Sequence, residues 1–237
     1  MKINLLLFVT KFSFQKNMYF CKKKMKYDLS ESISQRSSGE KDAENHRIKE
    51  IANEIRRRCQ LYETEFGNGE RHVNRFEAEQ RVTEQFAKEN DLWITMDDAF
   101  KIGVPGPSGN ENYTFISQDT IFKINNLLNS GGISNLLDKI TFHNSIFPET
   151  FYYFIAFAGY DGRSVMPVLR QDLIKNATPA TNVEIETYMS AIGFTKSSID
   201  GRFRNESFMV WDVVPRNVLK DNEGDIFVID AEISKVP

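Results

Sequence analysis

The sequence predicts an α+β fold, a sheet with helices inserted into it, and three observations point there. Up to about residue 90 the apolar residues recur at three- and four-residue intervals, the signature of amphipathic helices. Past Trp93 the period shortens. Two runs rich in β-branched and aromatic residues, 113–117 and 120–124, flank the polar pair Gln118-Asp119, as in an antiparallel hairpin with a tight turn. The helical stretches that follow are insertions between strands rather than members of a strict strand–helix alternation, which argues against a parallel α/β sheet.

Taken in order, residues 1–42 read as a tail and linker. The opening apolar run, Leu5 to Val9, is broken by Lys11 and followed by Lys22-Lys23-Lys24 with no small-residue cleavage site, so it fits neither a signal peptide nor a membrane span. Met18 and Met25 are alternative starts, and the expected location is cytoplasmic. Residues 28–41 are rich in Ser, Gln, Gly and charge, a linker composition. From 43 to 66, Ile48, Ile51, Ile55, Cys59 and Tyr62 form the narrow apolar stripe of a helix, ended by Gly67-Asn68-Gly69; residues 43–70 make this helix and its turn. A second helix is expected over 73–89, with Phe76, Val82, Phe86 and Ala87 inward and Asn90 as its C-terminal cap. After the hairpin, a helix over 134–146 ends before Pro148. Strands over 152–158 and 164–170 flank a turn at 159–162. A helix over 182–192 stops at Gly193, and strands then bracket Asp212 and lead to Asp230.

Composition excludes several classes. A hydrophobic share of 41% in 237 residues supports a packed core, and a net charge of -3 gives no general nucleic-acid surface. Cys21 and Cys59 make neither a disulfide framework nor a four-thiolate metal site, and read as free thiols in a reducing compartment. His46, His72 and His143 lack metal-ligand spacing and are expected at helix surfaces or core edges.

The polar residues that carry chemistry converge on phosphates and a metal. Gly106 and Gly109 punctuate a loop ahead of the hairpin whose backbone N–H groups suit an anion, although Pro105 and Pro107 delete donors and a plain turn-rich loop is the alternative. Ile121 and Lys123 share a strand face, an apolar wall beside a cation; the alternative is a solvent-facing lysine on an edge strand. Asp212 and Asp230 each end an apolar strand, and Asn217 follows Asp212 by five residues. Carboxylate and amide oxygens are hard ligands that suit Mg²⁺ sharing its shell with phosphates and water, whereas turn or cap roles are the alternative for Asn217 and Asp230.

The Asp212-x4-Asn217 spacing followed by Asp230 resembles the catalytic loop and metal Asp of protein kinases. Together with Gly109-Asn110-Glu111-Asn112-Tyr113, Ile121-Phe122-Lys123, His143-Asn144, Phe147-Pro148-Glu149-Thr150 and Pro179-Ala180-Thr181, it makes residues 71–237 resemble the serine/threonine/tyrosine kinase-like domain of bacterial and phage polyvalent proteins. The resemblance implies an antiparallel N-lobe sheet and ATP- and Mg²⁺-dependent transfer to a protein or small-molecule hydroxyl; with seven residues after Asp230, a truncated C-lobe is expected. Asp212 would serve the acceptor, Asn217 and Asp230 the metal, and Lys123 the phosphates. Gly106, Gly109 and Glu111 would lie at the phosphate loop, Ile121, Gln171 and Leu173 at the base, and Leu219 beneath it. Three features depart from the family pattern. Val210-Trp211 precedes Asp212, Ala231-Glu232 follows Asp230, and the helix after Lys123 carries only Asp138 as an acid, leaving Glu111 or an N-terminal helix as other sources of its partner. These departures leave a nucleotide-binding pseudokinase as the alternative function. No nucleic-acid or membrane partner is expected.

Overall fold

The computed structural model describes residues 38–66, 74–160, 164–199 and 201–236. The expected tail up to residue 37, the glycine break at 67–69, Cys21 and His72 lie outside the described residues.

Helix α1 spans Ser38–Phe66, so it begins inside the stretch expected to be a linker. A tertiary contact holds its first turn: the Lys41 ammonium donates to the Pro148 carbonyl at 2.6 Å. Ile48, Ile51, Ala52, Ile55 and Cys59 are buried, as the stripe requires, while Glu54 pairs with Arg57 and Arg58 on another face. Helix α2 spans Arg75–Glu89, between the caps Asn74 and Asn90. Val82, Phe86 and Ala87 are buried as expected, but Phe76 is 50% exposed. The whole stretch 74–77 is exposed, so helical phase does not carry Phe76 inward.

The main sheet comprises β1 (Trp93–Thr95), β2 (Val104–Pro105), β3 (Asn112–Ser117), β4 (Thr120–Asn125), β5 (Tyr153–Gly159) and β6 (Val165–Asp172). Its order is β1-β5-β6-β4-β3-β2, and β1 with β5 is its one parallel pair. A single helical turn, α3 (Met96–Ala99), follows β1. The β3–β4 hairpin turns where predicted, with Gln118 at a φ of 55°.

Helix α4 spans Ile133–Ile146 and has no side-chain cap of its own, since Gly132 stands at its N-cap. Glu79 of α2 supplies one. Its carboxylate accepts the backbone N–H groups of Ile133 and Ser134, each at 3.0 Å, and the Ser134 hydroxyl. Leu136, Leu137 and Ile140 join α1, α2, β5 and β6 in one core, so α1 is part of the same packed body as the sheet.

The remaining chain comprises β7 (Thr178–Pro179), α5 (Asn182–Ala191), β8 (Thr195–Lys196), β9 (Phe203–Arg204), β10 (Phe208–Trp211), β11 (Val218–Lys220), β12 (Ile226–Val228) and β13 (Glu232–Lys235), and α5 and β9 to β13 supply a second core that the exposed β7 and β8 flank. Its strands form two small sheets, β13-β10-β9-β8 and β12-β11-β7. Helix α5 opens on a Thr181–Glu184 capping box and closes before Gly193, whose φ of 87° suits glycine. Phe142 and Ile146 of α4 pack on this second core, so α4 touches both. The architecture is α+β.

Candidate functional site

Lys123 lies on β4, an interior strand between β6 and β3, and is 8% exposed, which removes the reading of a solvent-facing edge lysine. Its ammonium donates to the Tyr152 hydroxyl at 2.8 Å and to the Ile229 carbonyl at 3.0 Å; the Tyr152 hydroxyl donates to that same carbonyl at 2.9 Å. Ile229 immediately precedes Asp230. Burial holds the Lys123 pKa below its ordinary value, against the nearby Asp230 charge. Burial likewise raises the Tyr152 pKa well above that of a free phenol, with Asp230 adding to the effect.

Two α4 residues complete this cluster. Lys139 pairs with Glu232 and lines one cavity with His143, Tyr152, Asp230 and Ala231. His143 is 2% exposed, a correction to the expected surface or core-edge position: it follows Lys139 by one helical turn, on the face that α4 turns inward. Its Nε2 lies 3.0 Å from the Thr150 hydroxyl and 3.2 Å from the Thr150 carbonyl. The Thr150 hydroxyl donates to the Val228 carbonyl at 2.7 Å, so hydrogen accounting makes the ring nitrogen the donor. Burial first, and then the Lys123 charge, push the His143 pKa down to about 3, leaving a neutral imidazole.

Asp212 and Asn217 form a second cluster just after β10. Asp212 adopts a φ of 60°, unusual for a non-glycine residue and frequent at functional turns. The Asn217 amide nitrogen donates to the Asp212 carboxylate at 2.8 Å and to its carbonyl at 2.9 Å, and Arg216 pairs with the other carboxylate oxygen. The Ile229 N–H donates to the Asn217 carbonyl at 2.9 Å. Backbone pairing therefore brings Asn217 alongside the strand end that presents Asp230, and Ile229 links the two clusters.

The other expected residues stand further out. Gly106 and Gly109 lie in the β2–β3 connection. Gly106 donates its N–H to the Thr114 carbonyl at 2.8 Å, whereas Gly109 has no neighbour within 4 Å of where a Cβ would stand. Glu111 starts the approach to β3 and accepts from Asn129 at 2.6 Å. Ile121 pairs in register with Gln171, but the Gln171 side chain turns to the Thr150 carbonyl at 2.6 Å. The Leu173 N–H is donated to the Asp119 carbonyl at 2.9 Å. Leu219 sits on β11 opposite Phe227 and Pro179. Neither Asp138 nor Glu111 pairs with Lys123: Asp138 pairs with Arg56 on α1 and Glu111 is held by Asn129, while the buried Glu79 of the N-terminal helix α2 caps α4. Among the described residues no carboxylate lies within ion-pair distance of Lys123.

Sequence reasoning missed Tyr152, Lys139 and Thr150. Lys139 and His143 share a helical face with Leu136 and Ile140, and two polar residues on an apolar stripe were the available signal. Thr150 stood in the Phe147–Thr150 motif of the resemblance without a role assigned to it, and Tyr152 offered no signal.

The donor set suits a hard cation. Asn217 commits its amide nitrogen to Asp212, which leaves its oxygen for a ligand, and the Asp230 carboxylate has no hydrogen-bond or ion-pair partner among the described residues. Among those residues no three His, Cys, Asp or Glu side chains converge as a self-sufficient metal site. One carboxylate and one amide match Mg²⁺, which fills its shell with phosphates and water.

A sheet carrying a buried lysine, packed against a helix and facing an Asp–Asn–Asp set at strand ends, is compatible with a kinase-like fold. A family model described as "Serine/Threonine/Tyrosine Kinase found in polyvalent proteins" matches residues 76–235, more than half of the chain, and the chain belongs to that family. No curated protein sequence matches it. Membership carries a kinase-like function with it. Among the described residues no helix is long and apolar enough to cross a membrane.

Proposed function

We propose that the protein is an ATP- and Mg²⁺-dependent phosphotransferase that moves the γ-phosphoryl group to a hydroxyl of a protein or small molecule, with a reduced C-lobe whose described residues include one α-helix, α5. One observation supports this above the others: the buried Lys123 ammonium reaches the carbonyl of Ile229, the residue before Asp230, at 3.0 Å. A cation and a metal-type carboxylate thus share one wall of the site.

In this reading Lys123 grips the phosphates, and Asp212 orients the acceptor hydroxyl and takes its proton as the new P–O bond forms and the β–γ bridging bond breaks. Asn217 Oδ1 and Asp230 would hold Mg²⁺, which when bound neutralises phosphate charge. Gly106 and Gly109 sit in the loop over the phosphates, with Glu111 at its end. Ile121, Leu173 and Leu219 serve the base; Gln171 acts there through its backbone, since its side chain is committed to Thr150. The acceptor and the nucleotide meet in the cytoplasm, with no nucleic-acid or membrane partner.

The test is calorimetric titration with ATP, with and without Mg²⁺, comparing wild type with Asp230→Asn, alongside turnover of labelled ATP. Expected are Mg²⁺-dependent binding weakened about tenfold or more by the substitution, as loss of a charged ligand implies, and measurable phosphate transfer. Equal ATP affinity in both proteins, with no turnover, overturns the reading.

A nucleotide-binding pseudokinase is the second reading, favoured by one observation: both Asp212 carboxylate oxygens are engaged, by Arg216 and Asn217. ATP-induced thermal stabilisation without turnover supports it, and turnover that disappears in Asp212→Ala eliminates it.

A further inference from the structure

Resting on the phosphotransfer reading, we propose that Tyr152 is the positioning residue of Lys123, filling with a neutral hydroxyl the place where kinases put an acidic helix residue. The helix that faces the site presents Lys139 to the cavity, and a like charge cannot hold Lys123. The hydroxyl can. It has one proton and two lone pairs, donates to the Ile229 carbonyl at 2.9 Å and accepts from Lys123 at 2.8 Å, while Lys123 reaches the same carbonyl at 3.0 Å. This closed triangle fixes the ammonium on the strand end that presents Asp230.

Tyr152 has little freedom to leave it. Its N–H donates to the Asn144 side-chain oxygen at 2.7 Å, and its carbonyl accepts from the Asn144 amide at 2.9 Å. Its ring meets the His143 ring edge-on, with centroids 4.8 Å apart. An ammonium has three donors, and two are used here, so the third remains for a phosphate oxygen. A carboxylate in the same place would compete with the phosphates for the cation's charge. Tyr152 orients Lys123 without neutralising it.

The experiment uses the full chain and Tyr152→Phe, which removes one oxygen and keeps the ring against His143. In nucleotide-free protein with labelled lysines, the Lys123 signal is identified by its absence in Lys123→Met. Its titration is expected to move to lower pH in Tyr152→Phe, because the lost hydroxyl accepted from the charged form. With Mg²⁺-ATP, calorimetry is expected to show about tenfold weaker binding, adenosine affinity unchanged, and no further loss when the substitution is added to Lys123→Met. An unmoved Lys123 titration overturns the proposal, as does equal weakening of ATP and adenosine, which marks a merely structural role. If wild type binds no ATP while the titration still shifts, the phosphotransfer reading falls and the Tyr152–Lys123 coupling stands. Tyr152→Met, which fills the ring's space without a hydroxyl, repeats both measurements should the Phe variant fail to fold.

Discussion

Replacing Glu79 by Ala should destabilise the protein by about 3–5 kcal/mol, and the figure follows from what its carboxylate holds. Glu79 is buried on α2 and accepts two backbone N–H groups, those of Ile133 and Ser134, at the start of α4. Gly132, at the N-cap, has no side chain to substitute. Truncation leaves two buried donors unsatisfied, at about 1–2 kcal/mol each. It also removes a negative charge from a helix N-terminus, which contributes about 0.5–1 kcal/mol. For a chain of this size that corresponds to a melting temperature lower by roughly 10 °C. Glu79→Gln keeps one acceptor oxygen and should lose about half as much. Gly132→Ala should resemble the truncation, because Gly132 has a φ of 139° and its added Cβ would collide with the Glu79 carboxylate. Urea unfolding with linear extrapolation measures the free energies, and amide exchange at Ile133 and Ser134 shows whether the cap has opened. A Glu79→Ala variant within about 1 kcal/mol of wild type, with both amides still protected, would refute this account of how α4 is held.

Three further outcomes are expected. His143 is neutral when folded, with a pKa near 3, whereas in the unfolded chain it protonates near 6.5. Between those values the unfolded state binds more protons, so stability falls as pH drops, by up to about 1.4 kcal/mol per pH unit; urea unfolding at pH 7, 5 and 4 should show a shallower loss in His143→Gln, and equal slopes would refute it. Ile55→Ala, at a fully buried α1 position, should cost about 2–4 kcal/mol in the same assay, because α1 shares the core of the sheet. The partly buried Lys139–Glu232 pair should give a coupling of about 1–2 kcal/mol in a double-mutant cycle of Lys139→Met and Glu232→Gln, and additive losses would remove it as an α4–β13 tether.

Elements that advertise themselves through local chemistry were legible in the chain. The Gln118-Asp119 turn, Asn90 as a cap, Pro148 after α4 and Gly193 after α5 each carry a backbone preference that works without tertiary help. Two-residue strands such as β2, β8 and β9 have too few positions to show an alternation; β2 and β9 pair with longer neighbours, and β8 adds onto β9 at the sheet edge. The first turn of α1 escaped for a related reason, since its contact is with Pro148, 107 residues away. In the candidate site, Asp212, Asn217 and Asp230 drew notice because their spacing along the chain is itself a signal. The partner of Lys123 was not. It was sought among acids, and the structure supplies a tyrosine 29 residues on and a carbonyl 106 residues on, neither of which has a one-dimensional signature.

The position of Asp230 is set less by its own short strand than by what reaches across to it. Val228 and Ile229, the two residues before it, offer their carbonyls to Thr150, Tyr152 and Lys123, while the Ile229 N–H goes to Asn217. Thr150 is in turn fastened to β6 through the Gln171 amide and to α4 through His143. The main sheet, α4 and the small β12-β11-β7 sheet therefore meet at one pair of carbonyls. A displacement of α4 or of the segment from 150 to 152 would move Lys123 and the Asp230 strand end together and keep cation and carboxylate in register. A carboxylate on α4 could have fixed the lysine to the helix, but it would have left the Asp230 strand end without the Tyr152 and Lys123 bonds to the Ile229 carbonyl. The hydroxyl triangle does both at once, because the carbonyl it converges on belongs to the residue beside the one it must hold.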